Sequence, residues 1–224
     1  MTTADALTAA VCAAPDDDLP RLVYADWCEE SGHAERAEFI RLQVAHANHR
    51  LPPAGVIREK VLLDTHATRW LAPLREPGQP LFTRLSHGTF RRGFIEEVWM
   101  PARWFRDHAE RLFAVCPVRH LRASVGGAGE FSLLGECEHL TRLRELDLSV
   151  RRCGPAGVAR LACSPHLSRL AVLRLRGCGI DDAAADGLCN SRLSLATLDL
   201  RHNPLSLTAR KRLRERFGPA VVFD

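Results

Sequence analysis

Apolar residues recur through the second half of the chain in one figure, L-x-x-L-x-L, at Leu143, Leu146 and Leu148, at Leu170, Leu173 and Leu175, and at Leu195, Leu198 and Leu200. A weaker copy stands upstream at Val118, Leu121 and Ala123, and Ile95, Val98 and Met100 supply a degenerate one before it. Successive copies are 23, 25, 27 and 25 residues apart, a period that belongs to stacked repeats. In each figure the last two apolar positions alternate with polar ones, as a half-buried strand requires. Helical stretches follow the strands, as in Pro155 to Cys163 and in Asp181 to Cys189 with Ala183, Ala184, Ala185 and Leu188. The pattern predicts an α/β fold, with parallel strands on one face of a short solenoid and helices on the other.

The first half reads as helices. Residues 3–14 are apolar and Ala-rich up to Pro15, and a helix is expected from about Leu19 to Glu30, breaking near Gly32. Another spans about Ala34 to His49, carrying Phe39, Ile40, Leu42 and Val44 before Pro52 and Pro53, and a third runs from about Val56 to Leu71. Asp16, Asp17 and Asp18 stand where carboxylates can accept from the first amides of a helix. At the far end Leu205 to Phe217 reads as a basic helix, followed by Gly218, Pro219 and a terminal strand at Ala220 to Phe223. The expected organisation is a helical domain over 1–50, a joining segment with a helix and a linker or hairpin over 51–93, and a repeat region over 94–218 capped by 205–224.

Two resemblances attach to these segments. The repeated L-x-x-L-x-L with its helices, over about 112–218, resembles the leucine-rich repeats of ribonuclease-inhibitor type. Such repeats commonly place Asn or Cys three residues after the last strand leucine, where the side chain satisfies turn backbone. Cys178 and Asn203 match that position, whereas Arg151 and Gly126 depart from it. The string of Pro15, Asp16 to Asp18, Arg21 to Trp27, Glu29, Glu30, Gly32 and Arg36 to Gln43 resembles the bacterial repeat-companion domain best known from planctomycete proteins, over about 3–48. Thr89 to Val98 is similar to the join by which such proteins enter their repeats. The resemblance implies an architecture and no activity.

Composition adds little until it is localised. Of 224 residues 46% are hydrophobic and 26% charged, as in an ordinary globular chain. No run is apolar enough to cross a membrane and Met1 to Leu19 lacks the basic start of a signal peptide, so the cytoplasm is the expected location. The net charge of +4 is uneven. Residues 1–50 hold 4 Arg against 9 acids, whereas the excess of base lies in the repeat half, almost all of it arginine. The eight cysteines form no C-x-x-C pair, which argues against zinc and disulfides. Cys137, Cys163 and Cys189 are instead 26 residues apart and follow the repeat, with buried packing as the default for cysteines of this kind.

Candidate chemistry is correspondingly sparse. Asp26 and Glu30 share a helix face, and with Asp17 or Asp18 they could hold a hard cation; the alternative is capping by the aspartates and pairing of Asp26 and Glu30 with Arg21 or Arg36. Tyr24, Trp27, Phe39 and Ile40 read either as a peptide groove or as the core of the helical domain. His46 and His49 lack a second ligand pair. No catalytic residue, cofactor or metal is therefore assigned.

The strand positions between leucines are more informative, because repeats stack equivalent residues about 4.8 Å apart. One column reads Trp99, Arg122, Asp147, Arg174, Asp199, whose alternating charges can pair along it. Neighbouring columns read His120, Glu145, Val172, Thr197 and Ser124, Ser149, Arg176, Arg201. The expected site is this concave face, with Trp99, Arg122, Asp147, Arg174, Arg176, Asp199 and Arg201 as candidate contacts to a protein partner. The expected function is a non-enzymatic interaction module; nucleic-acid association through the basic half, and a metal-dependent enzyme using the N-terminal acids, remain as alternatives.

Overall fold

The computed structural model describes residues 2–75, 87–149 and 154–224. Arg151 and Cys153 lie outside the described residues. The chain is α/β, and the described residues form nine α-helices and a seven-stranded, mostly parallel sheet whose strands follow chain order. No helix among them is long and apolar enough to cross a membrane. Two compact units result, Met1–Val98 with Glu110–Val118, and Trp99–Ala109 with Arg119–Asp224.

In the first unit α1 (Thr3–Ala13), α2 (Leu19–Glu30), α3 (Ala34–Ala47) and α4 (Pro53–Leu71) fall close to the expected ranges. Pro53 does more than end a helix: it opens α4, where its missing N–H costs nothing. Val11, Ala25, Cys28, Ala37, Ile40, Val44 and Phe94 form a buried core, with Tyr24 and Trp27 packed at its margin. Phe39 belongs to a second aromatic group, with its ring 4.7 Å from Trp70 and 5.5 Å from Phe90. The capping expectation is corrected in detail. Asp17 accepts from the Leu19 amide at 2.9 Å, but the Asp18 side chain is drawn away to Asn48 and Arg92 and makes no cap bond.

β1 (His87–Arg91) and β2 (Phe94–Pro101) are joined by a two-residue turn, Arg92–Gly93, with φ of 48° and 83°. Positive φ at both positions matches the twist of a hairpin. The expected boundary at residue 93 falls inside this hairpin, and β2 divides between the units at Val98 and Trp99.

The second unit repeats itself at atomic level. β3 (His120–Ser124), β4 (Glu145–Asp147), β5 (Val172–Arg174), β6 (Thr197–Asp199) and β7 (Val221–Val222) pair in parallel. At each strand start one carbonyl accepts two amides of the next strand: Arg119 from Arg144 and Glu145, Arg144 from Ala171 and Val172, Ala171 from Ala196 and Thr197. Leu143, Leu146 and Leu148, with their equivalents Leu170, Leu173, Leu175, Leu198 and Leu200, are buried. Leu195 is only half-buried. The intervening helices include α7 (Gly154–Ala162) and α8 (Asp182–Cys189), the latter capped by Asp181, which accepts from the Ala184 amide at 2.9 Å. α9 (Leu207–Phe217) precedes the terminal strand β7.

The turn positions behave alike. Cys178 Sγ points at the Leu148 carbonyl at 3.2 Å, and Asn203 Nδ2 donates to the Leu175 carbonyl at 2.8 Å. Each thus reaches back to the last leucine of the preceding strand. Asn203 does more: its Oδ1 accepts from the Cys178 and Ile180 amides, both at 2.9 Å, and its Nδ2 also donates to Leu200. Because Asn203 is buried, Asn203→Ala strands several backbone groups at once, and a loss of about 3 kcal/mol is expected in urea unfolding. Asn203→Asp keeps the acceptor and loses the donors, so its cost should be of the same order.

Candidate functional site

The sheet face of the second unit brings together the charged column expected from the repeat. Arg122 lies opposite Asp147, Asp147 opposite Arg174, and Arg174 opposite Asp199. The charges, however, do not all pair along the column. Arg122 approaches Asp147 at 3.8 Å, but Arg174 reaches diagonally to Glu145, which also meets His120 at 3.2 Å. Asp199 is buried and held by Arg201 of its own chain segment, through Nε at 2.9 Å and Nη2 at 2.6 Å. These hydrogen bonds hold the Asp199 carboxyl below the usual carboxylate range. An arginine side chain is long enough to reach several carboxylates, and for Asp199 the two-point contact with Arg201 prevails.

The two column acids also have a backbone duty that the alternation of charge conceals. Asp147 Oδ1 accepts from the Ser149 amide at 2.9 Å and Asp199 Oδ1 from the Arg201 amide at 3.1 Å. Both are aspartates that close a turn two residues on, a local role typical of Asp at strand ends. The D-L-S and D-L-R triplets carry that signal. Among the expected contacts the arginines therefore stand out: the Arg122 side chain is 60% exposed and that of Arg174 38%. Arg176 is exposed and donates to His202 Nε2 at 2.7 Å, while His202 Nδ1 meets Asp224 at 2.9 Å. Trp99 is half-buried on β2.

The N-terminal acids are not assembled around a common centre. Asp26 and Glu29 both pair with Arg41 at 2.7 Å; for Asp26, Arg41 thus replaces the expected partners Arg21 and Arg36. No group of three possible metal ligands occurs among the described residues. His46 is exposed and pairs with Glu59.

Arg21 and Arg36 face inward instead, onto the Arg92–Gly93 turn. Arg21 donates to the carbonyls of Pro15 and Arg92 and pairs with Glu96 at 2.7 Å. Arg92 reaches back to the Pro15 and Asp16 carbonyls and to Asp18. Arg36 donates to the Gly93 carbonyl at 2.5 Å, and Gln43 accepts from the Gly93 amide at 2.8 Å while donating to the Phe90 carbonyl at 3.3 Å. Pro15, Asp18, Arg21, Arg36 and Gln43, all within the distinctive N-terminal string, thus converge on one turn. Sequence reasoning missed this hub, since its two parts are separated by some fifty residues or more; the R-R-G-F turn following the polar N-terminal string was the available sign.

The thiols offer no activated nucleophile among the shifts seen. Burial pushes Cys28 up to about 11 and raises Cys116, Cys137 and Cys189 as well, opposite to the lowering that reactivity needs. Cys163 is exposed, contrary to the expectation of burial. The basic helix α9 is similarly committed. Arg212 pairs with Asp186, Lys211 with Glu215, Arg216 donates to the Ser191 and Leu193 carbonyls, and Arg210 and Arg214 lie over the Phe223 ring. Compared with known proteins, the chain matches no protein-family model and no curated sequence.

Proposed function

We propose that the chain is a non-enzymatic protein-interaction module: a repeat-companion domain followed by a short leucine-rich-repeat solenoid of ribonuclease-inhibitor type, which binds a protein partner on its strand face. The observation that carries this reading is the set of arginines presented on one face of the parallel strands, Arg122 on β3, the partly exposed Arg174 on β5 and Arg176 in the turn after it. Arginine anchors are enriched among the residues that dominate interface energy. The strands beneath are fixed by their leucines, so little ordering entropy is lost on binding.

The nucleic-acid reading is weaker because the cations of α9 are tied to the fold, and backbone binding needs many uncompensated contacts. An enzyme built on Asp17, Asp18, Asp26 and Glu30 is weaker because three of these acids already serve Leu19, Arg92 and Arg41.

The test compares the intact chain with its Arg122→Glu, Arg174→Glu, Arg176→Glu triple variant in affinity capture from the source cell, with each captured protein then titrated in purified form. At least about tenfold weaker binding of a captured protein by the triple variant is expected. Unchanged binding of every captured protein would sink the strand-face reading. A salt-dependent gel shift with duplex DNA at physiological ionic strength, lost in the same variant, would replace it with the nucleic-acid one.

A further inference from the structure

The N-terminal unit contains a charge that the interaction reading does not use. Arg36 stands within a ring of aromatics, its guanidinium carbon 4.8 Å from the Trp70 ring centre, 5.3 Å from Phe90, 5.5 Å from Phe94 and 5.8 Å from Phe39. Its Nη2 donates to the Gly93 carbonyl, but its Nη1 is buried and makes no hydrogen bond. Among the described residues no carboxylate pairs with it; the groups that act on its charge are Tyr24 and Cys28. Burial lowers its pKa only to about 10, so the group is a cation at neutral pH. The ring faces offset part of the cost of burying it, and a hydrogen-bonding anion would offset the remainder.

Beside it lies a cavity of about 240 Å³, walled by Tyr24, Trp27 and Cys28 of α2, Glu35 and Arg36 of α3, and His66, Arg69 and Trp70 of α4, with His33 between the first two helices. Tyr24, Arg36 and Trp70 also line a second cavity of about 250 Å³ within the same unit. An apolar space of about 150 Å³ suffices for benzene, so either volume admits a single substituted ring. Planar walls are present: His66 stacks on Trp70 at 5.4 Å, and Tyr24 meets Trp27 edge-on at 5.4 Å.

We propose that this cavity binds an aromatic carboxylate, with the Arg36 guanidinium taking the carboxylate and Tyr24, Trp27 and Trp70 enclosing the ring. With Nη2 committed to the Gly93 carbonyl, the partnerless Nη1 is the donor left for a carboxylate oxygen, a charge-assisted hydrogen bond. Glu35 at the wall opposes a second negative charge, which favours a carboxylate over a phosphate dianion. The carboxylate has two sources, a free aromatic acid or a chain ending in an aromatic residue. Binding here is independent of the strand face, and either activity can fail alone.

The experiment titrates benzoate into the intact protein and follows the indole N–H signals of its four tryptophans. Saturable shifts are expected for Trp27 and Trp70, with Trp99 and Trp104 unmoved. Benzamide, which keeps the ring and removes the charge, should bind at least about tenfold more weakly. Arg36→Gln should abolish saturation, with the folding of its own unit checked by the dispersion of the amide signals of residues 2–75. If that variant unfolds, Arg69→Gln at the exposed rim should still weaken benzoate several-fold. N-acetylphenylalanine binding more tightly than benzoate would assign the pocket to a chain terminus, and the reverse order to a free acid. No saturable shift of Trp27 and Trp70, equal binding of benzamide, or tighter binding of inorganic phosphate would each overturn the proposal.

Discussion

Glu96→Ala is expected to destabilise the fold by about 3–5 kcal/mol, because it removes one half of a buried ion pair and leaves the other half charged. The Arg21 and Glu96 side chains are 0% and 5% exposed and 2.7 Å apart. Arg21 has two carbonyl acceptors, at Pro15 and Arg92, but its Nε has no hydrogen-bond partner. Burial lowers its pKa to about 10 in the intact protein, where the Glu96 charge counters the burial; a guanidinium does not deprotonate in proteins, so the variant cannot shed the cost by neutralising. Arg92 loses a partner in the same step, since its Nε lies 3.0 Å from Glu96. Urea unfolding monitored by circular dichroism measures the loss. The informative control is Arg21→Met combined with Glu96→Leu, which replaces both charges by apolar side chains of comparable reach. That double variant should be more stable than Glu96→Ala by about 2 kcal/mol or more, because no uncompensated charge remains. A cost below about 1 kcal/mol for Glu96→Ala would mean that water reaches Arg21, and the buried pair would lose its assigned part in holding the hairpin to α2.

What was legible beforehand follows from the range of the interaction involved. The register of Arg122, Asp147, Arg174 and Asp199 could be read directly, because equal offsets from buried leucines force equivalent residues into line once strands are parallel. The choice of ion-pair partner could not. Glu145 and Asp147 flank Leu146 on the same strand and are equally exposed, and a side chain as long as that of Arg174 reaches either; Asp147 is already engaged by the Ser149 amide and Arg122, which leaves Glu145. The same holds for Asp199, where an arginine two residues away wins over one on the next strand. The dual duty of Asp147 and Asp199 was readable in principle, since an aspartate accepting from the amide two residues on is a local event. The hub around Gly93 was not, for it joins Pro15 to Gln43 with residues 90–96 and depends on how the helices fold back. A string of polar residues that looked like surface chemistry turned out to be aimed at a turn. Arg21 and Arg36, expected as partners of exposed acids, point inward to it, and of those acids Asp26 took Arg41 instead.

The tightness of that turn gives the second large effect. Gly93→Ala is expected to cost about 3 kcal/mol or more. The residue has φ of +83°, and a Cβ built on it would stand 2.5 Å from Ile40 Cγ1 and 2.9 Å from Ile40 Cα. The first conflict is with the side chain of a fully buried residue and the second with the backbone of α3, so no rotamer change relieves both. Positive φ alone costs an alanine about 1 kcal/mol, and overpacking against a fixed helix adds about 1–3 kcal/mol. Displacing the turn would in addition stretch the bonds from the Gly93 amide to Gln43 and from Arg36 to its carbonyl. Gly32→Ala separates the two causes. Its φ is +80°, nearly the same, but nothing lies within 4 Å of the added carbon, so it should cost only about 1 kcal/mol. Urea unfolding of the two variants side by side therefore reads the steric term as their difference. If both cost the same, the close approach of the turn to α3 contributes nothing, and the convergence of Arg21, Arg36 and Gln43 on Gly93 would be a consequence of helix packing and not what sets the hairpin against it.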